Sequence, residues 1–202
     1  MHLPFTSSHR MITLAALALT IPAVAQDPQR ELGAHVHGQG TLDVAIEGNK
    51  VTLEFRAPGD DIVGFEGTAK TAKAKTAVAN AIVTLEKPLT LFITPDAAQC
   101  TVVSAKAKLG ADDGHVHGAA KTATAKAPAA KHDHAKNEHS EFHADYELTC
   151  AQPALAVSID FGYFKAFPKA QKMGVQIITA KGQTSAQVTP AKPRVEFGAL
   201  MK

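Results

Sequence analysis

The sequence predicts an α+β fold: antiparallel β hairpins and sheets, one long Ala-rich helix, and a disordered His-rich insertion. Three observations predict it. Short segments alternate apolar and polar residues with period two and are separated by turn-forming residues. One stretch, Thr68 to Glu86, is rich in Ala and Lys and places its apolar residues at helical spacing. Another, Gly110 to Lys136, holds almost nothing large and apolar. Such a segment cannot bury enough surface to offset its ordering entropy.

The elements follow in chain order. Residues 1–25 begin with MHLPFTSSHR, continue with the apolar run MITLAALALTIPAVA, and end at Ala23-Val24-Ala25 before Gln26. That is the pattern of a cleaved secretory signal peptide. Its apolar run falls short of the roughly 20 residues a membrane span needs. No later stretch is longer, so no membrane insertion is expected after cleavage. Leu42, Val44 and Ile46 then mark a strand, "EGNK" (Glu47 to Lys50) a hairpin turn, and Val51, Leu53 and Phe55 the returning strand. "APGDD" ends it. In the helix, Val78, Ile82 and Leu85 form one apolar stripe, with Gly67 or Thr68 at its start and Pro88 just past its end.

Leu89 to Ile93 and Cys100 to Ala107 read as strand segments broken at Pro95. After the insertion, "HSEFHADYELTC" alternates strictly. Phe142, Tyr146, Leu148 and Cys150 point one way, and His139, Glu141, His143, Asp145 and Glu147 the other. Leu155, Val157, Ile159 and Phe161 make a further strand. "GYFKAFPKAQ" reads as a turn or short helix, Val175 to Thr179 as a strand, "AKGQ" as a turn, and Val195 to Phe197 as a last strand. Hairpin strands with one good helix suggest α+β with antiparallel pairing.

Charge and cysteines bound the function. The formal net charge is +2, and removing residues 1–25 removes Arg10 and no acid. A near-neutral chain with scattered lysines gives no reason to expect a nucleic-acid partner. In an exported protein, the two cysteines, Cys100 and Cys150, read as a disulfide closing a loop of about 50 residues, worth about 4 kcal/mol by chain entropy. Two thiolate ligands are the competing reading.

The histidines carry the chemistry. His-Val-His-Gly occurs twice, at His35 to Gly38 and at His115 to Gly118, and His132, His134, His139 and His143 follow the second copy. Eight histidines after residue 25 thus fall in two patches, six of them within 29 residues. On a strand, His-x-His puts both rings on one face, where they can chelate one ion. Imidazoles outnumber nearby carboxylates, which favours zinc, copper or nickel over calcium or magnesium. The residue types do not separate those three metals. No G-x-S-x-G, HExxH, P-loop or G-x-G-x-x-G is present, so no enzyme is expected and no catalytic residue is assigned.

At these residues a resemblance emerges. "HVHGQGTLDVAIEGNKVTLEFRAPGDDIVGFEG" resembles the opening of a bacterial family of periplasmic, zinc-regulated, zinc-binding proteins, first catalogued as a domain of unknown function. "LTCAQP" after the His-rich insertion and "FPKAQKMGVQIITAKGQ" are similar to later parts of the same family. The resemblance runs roughly from Ala34 to Thr189. It implies one zinc-binding α+β domain over residues 31–202, interrupted by a low-complexity loop at 110–138. It also implies a periplasmic protein that captures or buffers Zn²⁺ and assists an ABC-type importer or an outer-membrane receptor. The family's His pair falls on His35 and His37, and its His-rich stretch on His115 through His143. Two positions depart from the family pattern. Gly67 stands where members often have His after "GFE", and Val36 where the middle of the first motif is often acidic. Two other readings are an envelope accessory protein of a transporter in which metal is incidental, and a copper- or nickel-binding resistance protein.

Overall fold

The computed structural model describes residues 37–111 and 139–202. The signal peptide expected over residues 1–25 and most of the His-rich insertion lie outside the described residues. So do His35, His115, His117, His132 and His134.

The first hairpin forms as its periodicity requires. Strand β1 (Gln39–Glu47) buries Leu42, Val44 and Ile46, and β2 (Lys50–Pro58) buries Val51, Leu53, Phe55 and Ala57. The turn between them uses Gly48 at φ +59°, open to a side-chain-free residue with no neighbour in the way. Helix α1 (Gly59–Val63) follows directly, turned back by Gly64 at φ +83°. Helix α2 (Ala72–Leu85) comes next, then α3 (Pro88–Leu91), β3 (Phe92–Ile93) and β4 (Cys100–Ala111). After the insertion come β5 (Ser140–Cys150), β6 (Ser158–Phe161), α4 (Tyr163–Ala166), β7 (Lys172–Thr179), β8 (Gly182–Val188) and β9 (Arg194–Glu196).

These strands overturn the expected fold class. The fold is mostly β rather than α+β: nine strands form a mixed six-stranded sheet and a three-stranded sheet among the described residues. The expected long helix is fourteen residues, and the other three helices are shorter still. The causes are local. Thr71 takes the cap position, its Oγ1 accepting from the Ala74 N–H at 3.1 Å, so residues 68–71 stay outside the helix. Val78, Ile82 and Leu85 do face the core, but of the helix only Ala81 and Leu85 are buried. The run Leu89 to Ile93 is mostly helix α3, because Pro88 is preset for a first helical position. Meanwhile the polar segment "GQTSAQV", which shows no apolar alternation, is a strand because β7 offers it a ladder.

The large sheet runs β4-β5-β2-β1-β7-β8. All neighbours are antiparallel except β1 and β7, which pair in parallel with Gln39 opposite Lys172. Its inner face is the core. Leu53, Phe55, Phe142, Tyr146, Met173 and Ile177 pack there against Leu85, Phe92, Phe161 and Tyr163. Phe55, Phe92 and Tyr163 meet with ring centroids 5.4 to 6.4 Å apart, a spacing at which such pairs add to area burial. The outer face is polar. One register row places Lys108, His143, Arg56 and Thr41 side by side. The next places Lys106, Asp145, Glu54 and Asp43 side by side.

Cys100 and Cys150 are register partners in the β4–β5 ladder and form the disulfide. The bridge closes the base of a long hairpin, and the insertion leaves from the hairpin's other end. Among the described residues no helix is long and apolar enough to cross a membrane.

Candidate metal-binding site

Strand direction decides where the histidines meet. β1 begins, β2 ends, β5 begins and β4 ends at one end of the large sheet, because each antiparallel pairing reverses the chain. The first His-Val-His-Gly ends at Gly38, directly before β1. The second begins four residues after Ala111, the last residue of β4. The chain re-enters the described structure at His139, directly before β5. Two motifs some eighty residues apart are therefore attached to the same end of one sheet.

That end carries a fixed cluster. Gly38 has φ +81°, a left-handed conformation that favours glycine. Its N–H donates to Asp61 Oδ1 at 2.7 Å, and its carbonyl accepts from the N–H groups of Gln171 and Lys172 at 3.0 and 2.9 Å. The adjacent His37 ring lies between two carboxylates. His37 Nδ1 is 4.0 Å from Asp60 Oδ2, and Nε2 is 3.9 Å from Glu66 Oε1. The His37 side chain is 57% exposed.

Glu66 is tied down by backbone. Its Oε1 accepts from the Asp60 N–H at 3.1 Å, and its Oε2 from the Ser140 N–H at 2.8 Å. Pro58, at the N-cap position of α1, offers no side-chain cap, so Glu66 satisfies a first-turn donor of that helix from seven residues beyond its start. Gly67 continues the tie, its N–H donating to Ser140 Oγ at 3.1 Å. Asp60 is engaged on its other side by Lys169, whose Nζ is 3.2 Å from Oδ1.

The electrostatics are lopsided. Three carboxylates, Asp60, Asp61 and Glu66, surround one imidazole. Burial pushes the Asp61 carboxyl above the ordinary carboxylate range, and the charges of Asp60 and Glu66 push it the same way. The Gly38 N–H and His37 pull against that shift. Negative charge gathered in this way favours a cation, and the Lys169 ammonium, 3.2 Å from Asp60 Oδ1, already supplies one.

What can this arrangement hold? Two ligands of a tetrahedral zinc stand about 3.3 Å apart, given metal–ligand bonds of about 2.0 Å. The His37 nitrogens, at 3.9 and 4.0 Å from their carboxylates, are about 0.6 to 0.7 Å beyond that spacing. They face different carboxylates, so one nitrogen can take a metal while the other donates to the second carboxylate, the usual support for a ligating imidazole. Among the described residues, however, no three His, Cys, Asp or Glu side chains stand together as a complete metal cage.

The remaining predicted ligands fall as follows. His139 is exposed just ahead of β5 rather than within the strand. His143 is half-buried on the outer face, its Nε2 2.8 Å from Glu141 Oε2. It stands in register between Lys108 and Arg56, two cations that oppose metal binding there. Sequence reasoning missed Asp60, Asp61 and Glu66 as neighbours of His37. The available signal was "GDD" directly after a strand whose partner begins beside His37.

No curated protein matches the chain. The profile of the ZrgA family zinc uptake proteins matches residues 34–197. That span runs from the first His-Val-His-Gly through β9, and it agrees with the resemblance carried by the sequence motifs. The chain belongs to the ZrgA family of zinc uptake proteins.

Proposed function

We propose that this chain is a non-enzymatic periplasmic protein that captures or buffers Zn²⁺ and passes it to an importer or receptor of the cell envelope. Residues 1–25 direct its export and are then removed. The ion is cargo. His37, with Asp60 and Glu66, forms the fixed part of the site. The imidazoles of His35 and of the insertion (His115, His117, His132 and His134) supply the remaining ligands, and His139 stands where that segment rejoins the fold. The Cys100–Cys150 bridge ties the hairpin that carries the insertion.

One observation supports this reading above the others: both His-Val-His-Gly copies attach to the same end of the sheet, beside a surplus of carboxylates. A ligand set divided between a fixed cluster and a long segment suits capture and release.

The test is isothermal titration of metal-stripped, disulfide-intact protein with Zn²⁺, beside a variant with His115, His117, His132 and His134 changed to Ala, and beside His37→Ala. Loss of sites in the first variant and of affinity in the second supports divided capture. Neither protein nor variants binding zinc above background would sink it. Copper and nickel titrated in competition with zinc test the choice of metal.

A further inference from the structure

Among the described residues, no direct hydrogen bond fixes the His37 ring. Its nitrogens stand 3.9 and 4.0 Å from their carboxylates, and more than half of the side chain is exposed. Its placement therefore depends on the backbone beside it. That backbone is held on both sides at Gly38: the carbonyl by Gln171 and Lys172 of the segment leading into β7, the N–H by Asp61 of α1. Position 38 resists a side chain: φ is +81°, which L residues rarely adopt, and a Cβ there would crowd the Gln171 side chain at 2.9 Å.

Asp61 is the unusual member. It is 3% exposed, and among the described residues its Oδ2 has no hydrogen-bond partner. A buried carboxylate oxygen without a partner is costly. Only one of its oxygens is used, and that one bonds the residue next to His37. We infer that Asp61 is a positioning residue: it does not touch the metal, but holds His37 against Asp60 and Glu66 through the Gly38 N–H. This deepens the reading of His37 as a ligand and rests on it. In geometric terms Asp61 preorganises the fixed part of the site, so that zinc meets an oriented imidazole rather than a free one.

The experiment is zinc titration of the metal-stripped full chain as wild type, D61A, D61N, G38A and H37A. Each is paired with the ring ¹H–¹⁵N correlation of His37 by NMR, and with a urea midpoint to show that the variant is folded. D61A should lose about 10- to 100-fold in affinity, the usual effect of removing a support of a metal ligand, and its His37 ring signals should shift. D61N keeps an acceptor oxygen and should recover most of the affinity. G38A keeps Asp61 but breaks the clamp from the other partner, and should also weaken binding. Wild-type affinity in D61A while H37A is impaired would overturn the positioning role and leave His37 as a ligand. D61N as weak as D61A would also overturn it, because the charge rather than the hydrogen bond would then be acting. H37A binding as well as wild type would instead remove the site on which the inference rests.

Discussion

Glu66→Ala removes two backbone hydrogen bonds that join three parts of the chain. Oε1 accepts from Asp60 in α1, and Oε2 accepts from Ser140 at the start of β5, at 3.1 and 2.8 Å. Hydrogen bonds to a charged acceptor contribute about 1.5 to 3 kcal/mol each. The Glu66 side chain is 23% exposed, so water partly replaces the lost acceptor. Relief of repulsion with Asp60 and Asp61 offsets a little more. The expected net loss is about 2 to 4 kcal/mol, towards the lower end for the longer of the two bonds. Urea denaturation of metal-stripped, disulfide-intact protein measures it, and with a slope of about 2 kcal/mol per molar the midpoint should fall by about 1 to 2 M. Glu66→Gln offers one carbonyl oxygen and turns an amide donor towards the other N–H, so it should restore roughly half of the loss. A midpoint for Glu66→Ala within about 0.3 M of wild type, given that slope, would refute the reasoning.

Three further outcomes follow from the same geometry. In metal-free protein, Asp61→Asn should be more stable than wild type at neutral pH, because the folded state raises the Asp61 pKa by burial. A raised carboxyl destabilises the fold above its folded-state pKa and ceases to do so below its unfolded value, so the advantage of Asn should shrink as pH falls through that window; an advantage that grows on acidification would contradict the sign. Gly67→His should tighten zinc binding by placing an imidazole next to Glu66, and should cost the metal-free protein about 1 to 2 kcal/mol because position 67 has φ +78°; unchanged titration curves would show that position 67 lies outside the site. Replacing Cys100 and Cys150 together by Ala should lower stability by up to about 4 kcal/mol, read by thermal or urea unfolding, because the unfolded chain loses a closed loop of about 50 residues. A loss under about 1 kcal/mol would mean that the β4–β5 ladder alone constrains the hairpin.

Some of this was legible in the sequence. Local periodicity marked β1, β2, β5, β7 and β9, because a strand with one buried face must alternate whatever its partner. The paired cysteines, the clustered histidines and the family were legible too, since each depends on residue type and spacing. Other features depended on partners distant in the chain. The polar strand β8 exists because β7 presents a ladder, and α3 replaces the first part of a predicted strand because Pro88 and its packing outweigh the apolar residues of that run. The parallel pairing of β1 with β7 joins residues more than a hundred positions apart, which no local pattern encodes. The candidate site is of the same kind. Histidine supplies a visible signal in a sequence, whereas Asp60 and Glu66 look like ordinary surface acids. They become neighbours of His37 only because β2 must end where β1 begins, and because Glu66 reaches back to cap α1 and to tie the start of β5. The sequence by itself determined which residues can bind a metal and the family they belong to. Tertiary structure alone decided which of them stand together, because that is set by strand direction and pairing rather than by any residue's nearest neighbours.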